Sequence, residues 1–583
     1  MFNSKKFLSS PRWTEVLEIV LVGACLISAL QMQLHLARYD SITSDEPVHL
    51  LSGYLADSRG DYTIDPEHPF FVKRLAALPL LFLDIHFQDG LDELLTKSHN
   101  FFYDVRREGM GFADAWLYSA GNNPGQIIYA ARNMMIGLYL LFAFSVFIVT
   151  RKYFGKTASL FALLLFILEP NMAAHGHLVN TDIPIAFFLF LTCVSWLEYL
   201  KSRRKFWLSI TAFLFAFSQY AKFSAVALIP IMGGMALVYW FVIERISLKK
   251  LVLRLLSVIL PGLFILAVTF AVIWIGYGMP FSVSHSVYDP ANTDLPYWMN
   301  EGRFFQAFAV PAQFWKGYWL LTRDIFLKRE AYLFGMFKKG GWWYYFPVAF
   351  LIKTPLPLIF TFLGGLAVSL ARRRQVTPAM IAVLIPPLGF MAISMAGTMD
   401  IGLRHIFPVY PFVIIWAGYS AAFFLRFLRQ QQRIAKTARQ KSFVWFGALA
   451  CAALMIWYLG GTISHYPRLL SYFNETVGTT NGWKALNDSN LDWGQNAGEF
   501  RDYLTAKGIS QPNCTYFWSH EQLKYYGIRC NFINSYADFQ SLREGSLYFI
   551  DAMDLKSPEW EWARTLPLVD RVGDTIFVFR KDS

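Results

Sequence analysis

The sequence lacks the phosphate-binding and nucleophile signatures of soluble enzymes. It has no Walker loop, no G-x-G-x-x-G ahead of a helix, no H-E-x-x-H and no G-x-S-x-G. Nothing therefore points to direct use of a cytosolic nucleotide. Cysteine is scarce, at five residues, and neither a C-x-x-C pair nor zinc-finger spacing occurs. Charge is thin, at 16% of residues. Low-complexity segments are missing, and so is the duplicated block expected of a transporter built from repeats.

What is abundant is hydrophobic: 55% of the residues, with 17% aromatic and a mean hydropathy of +0.34. That composition belongs to a polytopic membrane protein. A bilayer core of about 30 Å needs roughly 20 apolar residues per helical span, and about eleven runs qualify. They lie near 15–36, 127–150, 157–173, 183–200, 206–220, 223–243, 252–277, 346–370, 376–396, 406–427 and 442–463. The first is span-length and has no convincing cleavage site after it, so it reads as an uncleaved anchor.

The net charge of +12 is distributed by topology, not for nucleic acid. Lys and Arg gather in alternate short loops: Lys5, Lys6 and Arg12; Arg151, Lys152 and Lys156; Lys201 to Lys205; Arg245 to Arg254; Arg372 to Arg374; and Arg426 to Lys441. Intervening loops such as "AAHGHLVNTD" are nearly free of both. This positive-inside bias puts the N-terminus in the cytoplasm and the tail after the last span outside. Cys514 and Cys530 lie in that tail, where the compartment permits a disulfide; bridged and free states both stand.

Three regions are not spans. Residues 37–126 and 278–342 form long outer loops. The first carries two apolar segments, "EPVHLLSGYLAD" and "FFVKRLAALPLLFL", too short to cross and therefore expected to lie at the interface. The second is rich in Trp and Tyr, which favour the headgroup level. The tail, 464–583, drops in hydrophobicity. "SLYFI" and "TIFVF" read as strands and "AGEFRDYLTAKG" as a helix closed by Gly508, giving a small α/β domain after a helical membrane module of residues 1–463.

With this orientation the unusual ionisable residues fall near one face: Asp45 and Glu46 after the first span, Arg132, His175, His177, Asp182, Lys222, Lys353, and Asp400 with Arg404 and His405. Each has a plain alternative. Asp45 and Glu46 are suited to the first turn of a helix opened by Pro47, and Lys222, Arg132 and Lys353 can snorkel. His175 and His177, two apart, diverge on a helix and make a poor metal pair. Yet charges at the bilayer edge call for a wet cavity or mutual pairing. A carboxylate can serve as general base, and Arg and Lys stabilise phosphate charge.

At these residues the sequence resembles the bacterial members of glycosyltransferase family 39. These are GT-C-fold enzymes dependent on polyprenyl-phosphate sugars, related to protein O-mannosyltransferases and the lipid A aminoarabinose transferase. "DEPVHLLSGYL", "DPEHPFFVKRLAALPLL", "LEPNMAAHGHLVNTDIP", "QYAKFSA", "GGWWYYFPVAFLIKTPLP", "IGLRHIFPVYPF" and "SNLDWGQ" carry the likeness in shared order. "EHPFFVKR" departs from the more usual double-proline version. The resemblance implies a mainly α, polytopic GT-C fold and an inverting transfer of sugar to an acceptor hydroxyl, with Asp45 as general base. Arg404, His405 and Lys222 would neutralise the leaving phosphate. Glu46, His68 and Asp182 would orient the acceptor or the first loop, and Arg132 would pair with one of these carboxylates.

The expected partners are a polyprenyl-phosphate-linked sugar donor, a hydroxyl acceptor on lipid, glycan or protein, and membrane lipids, with no nucleic acid. No cofactor is expected, a divalent metal being the alternative. Asp488, Asn490 and Asp492 of "NDSNLDWGQ" either bind acceptor or build turns, and turns are the favoured reading. A polytopic transporter and a lipid-phosphate hydrolase are the rival functions.

Overall fold

Every apolar run forms helix within the described residues, though not always one unbroken helix of span length. The computed structural model describes residues 11–99, 104–279, 311–371 and 376–581; the aromatic loop up to residue 310, the basic cluster Arg372–Arg374 and the N-terminal basic residues Lys5 and Lys6 lie outside them. Among the described residues eight helices are long and apolar enough to span, or nine if one bent pair counts as a single span. Two of the eleven runs form shorter helices, yet each still leads from the Arg151 end of the bundle, where Lys156 meets Glu18 and Lys152 meets Glu198 at 3.2 Å, to the Asp182–Lys222 pair at the other end. Lys156–Ile167 has 12 residues, about 18 Å of helix against a core of about 30 Å. Pro170 forces Glu169 out of the helical region (ψ 114°), and Glu169 instead caps the short helix Pro170–His175 by accepting the Met172 N–H at 2.6 Å. Lys205–Ala221 has 17 residues and stops where Lys222 turns extended.

The bent pair, Tyr345–Lys353 and Leu356–Leu370, turns by 112° at Pro355. A break of this kind frees carbonyls that lipid cannot satisfy, so protein must. Asn474 does most of this: its Nδ2 donates to Leu351 O (2.6 Å) and Thr354 O (2.7 Å), and its N–H to Ile352 O (2.9 Å). Asn171 takes Lys353 O at 2.7 Å. Lys353 itself is buried and donates to Leu470 O (3.2 Å) and Asn490 O rather than snorkelling to water.

Asp182–Ser202 runs through the middle of the bundle, its apolar window 94% buried, while Trp13–Tyr39, Leu248–Gly276 and Ala438–His465 are 11–17% buried and face outward. In the first loop, Glu46–Arg59 is not the interfacial helix expected. Leu50, Leu51 and Leu55 are fully buried, and Gly53 lies so close to Phe70–Ala77 that a Cβ there would sit 2.1 Å from Lys73 O.

Past the last span, residues 469–495 fold back onto the helices. Leu469, Leu470 and Trp493 pack with Leu36, Ala173, Ala174 and Leu178. Beyond them a five-stranded mixed sheet runs in the order 531–532, 513–514, 547–551, 576–580, 568–572. Helix Ala497–Lys507 is closed by Gly508 at φ +65°, a left-handed position that suits glycine. Cys514 and Cys530 are bridged, their Cα atoms 5.8 Å apart.

Candidate active site

Two ion pairs fix the ends of the first two long helices. Arg132, near the start of Pro124–Phe154, meets Glu46 just past the end of Pro11–Tyr39. Arg151, at the far end, meets Glu18 at 2.5 Å. Arg404 reaches Asp45 at 3.5 Å, so it stands at the Glu46 end. The scattered ionisable groups therefore share one end of the bundle.

There a cavity of about 1210 Å³ opens. Asp45, His68, Lys222, Arg404 and His405 line it. Asp182 does not reach its surface but stands behind the two cations, bonded through Oδ1 to Lys222 Nζ and 3.4 Å through Oδ2 from Arg404 Nη1. Arg404 lies between the two acids at distances longer than the usual charge-assisted 2.7–2.9 Å. Asp45 makes no capping hydrogen bond to the helix that follows it. The His405 Nε2 is buried and has no hydrogen-bond partner among the described residues.

Glu46 and Arg132 do not join this group. Arg132 donates Nε to Oε1 (2.9 Å) and Nη2 to Oε2 (2.6 Å) of Glu46. Its other donors go to Ala37 O (2.7 Å), Asp40 O (2.8 Å) and Ser41 O (3.0 Å). Glu46 also accepts the Thr43 and Val179 N–H groups, at 2.8 and 3.1 Å. Both side chains are buried and saturated, so they build the loop and cannot hold a ligand. His175 and His177 are buried too: His175 Nδ1 bonds Asn171 O at 2.9 Å and His177 Nε2 lies 3.1 Å from Asp40 Oδ2, while the other nitrogen of each ring has no hydrogen-bond partner among the described residues.

The sequence reading passed over His49 and Asp65, which also line the cavity. His49 lies one helical turn beyond Asp45, so both project from one face. That i, i+4 spacing was the available signal. His49 Nδ1 is 2.9 Å from Asp65 Oδ2, and Lys73 Nζ is 2.8 Å from the same oxygen. Burial pushes the Asp65 carboxyl up, but Lys73 and His49 outweigh it and hold the group well below the usual carboxylate range. The His68 ring packs edge-on to His49 with centroids 5.7 Å apart. Burial, with Lys222 nearby, drives its pKa well below 6.5, so it is neutral at pH 7. Among the described residues no group of three or more His, Cys, Asp or Glu side chains is arranged to hold a metal ion.

The family model described as dolichyl-phosphate-mannose-protein mannosyltransferase matches residues 115–274, a stretch that holds Arg132, Asp182 and Lys222. On this match the chain is related to the protein O-mannosyltransferases and is a membrane glycosyltransferase by class. No curated protein matches the chain. Similar solved structures include ArnT from Cupriavidus metallidurans bound to undecaprenyl phosphate, at 12% identity over 98% of this chain and 99% of that one, TM-score 0.44. The Archaeoglobus fulgidus oligosaccharyltransferase in the apo form is similar at 11% identity over 87% and 64%, TM-score 0.46. The S. cerevisiae protein O-mannosyltransferase Pmt1-Pmt2 complex bound to the sugar donor is similar at 18% identity over 45% and 34%, TM-score 0.32. These are distant likenesses of shape and carry no residue's role.

Proposed function

We propose that the protein transfers a sugar from a polyprenyl-phosphate carrier to an acceptor hydroxyl at the extracytoplasmic face, with inversion and without a metal. The observation that carries this reading is the placement of Asp45, Lys222 and Arg404 on one cavity, with Arg404 3.5 Å from Asp45. Asp45 takes the proton of the acceptor O–H as its oxygen attacks the anomeric carbon. The bond from that carbon to the phosphate oxygen breaks, and the polyprenyl phosphate departs with the electron pair. Lys222 and Arg404 stabilise the negative charge that grows on it, and His405, whose buried Nε2 has no hydrogen-bond partner among the described residues, adds a hydrogen bond.

Asp182 and Asp45 balance the two cations. A donor phosphate competes with Asp45 for Arg404 across a contact already long. Binding the donor thus frees the base, while Asp182, behind both cations, keeps them in place. Two features support the outward orientation: the basic loops at the opposite end, among them Arg151, Lys152 and Lys156, and the Cys514–Cys530 bridge, which suits an oxidising compartment. The acceptor is a hydroxyl on lipid, glycan or protein.

The test is to incubate the purified protein in detergent with radiolabelled polyprenyl-phosphate sugars and a panel of hydroxyl acceptors. The expected result is label on an acceptor with inverted anomeric configuration. Release of free sugar in place of transfer would mark a hydrolase, and absence of any turnover across the panel would count against enzymatic chemistry at this cavity.

A further inference from the structure

The segment "NDSNLDWGQ", Asn487 to Gln495, takes no part in the chemistry above, yet it meets the site at three points. Ser489 Oγ accepts from Arg404 Nε at 2.9 Å. The Trp493 ring lies under the guanidinium, with Arg404 Cζ 4.1 Å from its centroid. Asn490 Oδ1 accepts the Leu403 N–H at 2.8 Å, fixing the backbone one residue before Arg404. The same segment holds the loop that leads into Asp45: Ser44 N–H donates to Trp493 O (3.1 Å) and Ser41 N–H to Gln495 O (2.9 Å). Ser489 and Trp493 are 3% and 2% exposed, so these are built contacts.

The physical point lies in which groups do the orienting. Of the carboxylates near Arg404, Asp182 and Asp45 stand at 3.4 and 3.5 Å, and Asp488 acts on it only through its charge. The close partners are a hydroxyl and an aromatic face, and both are neutral. A cation oriented by neutral groups keeps its charge for a ligand, whereas one saturated by carboxylates does not. Arg132, three times hydrogen-bonded to carbonyls and twice to Glu46, illustrates the saturated case.

We propose that Ser489 and Trp493 are positioning residues that aim the Arg404 guanidinium into the cavity for the donor phosphate, with Asn490 fixing the register of the backbone that carries it. This rests on the reading that Arg404 meets that phosphate. The "NDSN" turn then couples the C-terminal segment to the chemistry: it sets the distance between the base loop and the phosphate cation.

The experiment measures binding of undecaprenyl phosphate to the full-length protein in detergent, alongside the melting temperature. Wild type should bind and R404Q should bind far more weakly. S489A should weaken binding about three- to tenfold, the loss of one ordinary hydrogen bond, since Arg404 loses its aim and not its charge, and S489T should restore it. W493F keeps the packing but offers a weaker π face, and should weaken binding by a smaller factor. In an R404Q background neither change should weaken binding further, because the effect runs through Arg404. If S489A and W493F bind like wild type while R404Q does not, the positioning role is wrong and the phosphate role of Arg404 survives. Equal weakening in both backgrounds would likewise overturn it, marking the residues as merely structural. If wild type and R404Q bind equally, the phosphate reading falls and takes the inference with it.

Discussion

Asp45 and Glu46 are neighbours in the chain, carry the same charge and enter the same helix, yet they end in opposite surroundings. Glu46 is enclosed by five donors: two from Arg132, the Thr43 N–H and hydroxyl, and the Val179 N–H. Asp45 makes two long contacts, to Arg404 at 3.5 Å and to the Ser44 hydroxyl at 3.4 Å, and lines the cavity. Arg132 and Arg404 differ in the same way. Burial and charge do not separate structure from function here; saturation does. A buried ion pair whose every lone pair and proton is used has nothing left for a substrate. One held at long range by partners that can be displaced does.

Substitutions on the two sides should therefore fail differently. The largest effect is expected at Asp45: D45N should lower the transfer rate by about 10²–10⁴, the usual contribution of a general base, with the melting temperature little changed. A D45N protein that folds and transfers at the wild-type rate would remove the contrast altogether. On the saturated side, R132Q should destabilise by about 3–5 kcal/mol, since it leaves Glu46 buried and uncompensated. Thermal unfolding in detergent reads this. Replacing both partners, as E46L with R132M, should recover much of the loss, because the strain is in the orphaned charge. Recovery of stability with activity intact would sharpen the division.

The His49–Asp65–Lys73 group sits between these extremes, paired but lining the cavity. Asp65 is held below its unfolded carboxylate range by Lys73 and His49, against burial. Its pairing therefore adds stability above the unfolded pKa, and that stability is lost as pH falls through the folded value. D65N should lose about 1–3 kcal/mol at pH 7, with the gap to wild type closing as the pH drops below about 4, followed by unfolding at a series of pH values. The smallest change is expected at Asp114 in the cavity wall, where burial raises the carboxyl to about 6. Here the sign reverses: wild-type stability falls as pH rises from about 4 to 6. D114N should remove that fall and add about 1 kcal/mol at pH 7 after allowing for partial solvent access.

Much of this was legible in the residues. The apolar runs named every span-length helix among the described residues, because burying about 20 residues in hydrocarbon leaves a strong signal along the chain, but not Ala312–Leu327 in the second outer loop. Proline and glycine marked stops that the run lengths hid: Pro170 cut one run short, Pro355 bent another, and Gly508 closed the tail helix. Asp45, Lys222, Arg404 and His405 were readable as ionisable groups at span ends. His49 was readable from its spacing to Asp45, but a histidine on a mixed helix face carries little weight until a carboxylate is seen beside it. Ser489 and Trp493 were not readable at all as part of the site, since nothing local joins residue 489 to residue 404.

The sequence by itself determined a helical membrane protein, the residues at one end of it that could bear charge, and a kinship with sugar transferases through motifs in order. Only the tertiary structure decided which charges cancel and which stay available. Pairing in a membrane protein joins residues far apart in the chain, as Glu46 with Arg132 and Asp182 with Lys222 and Arg404. The free energy of a buried charge depends on every donor and acceptor around it, and that full shell exists only once the chain has folded.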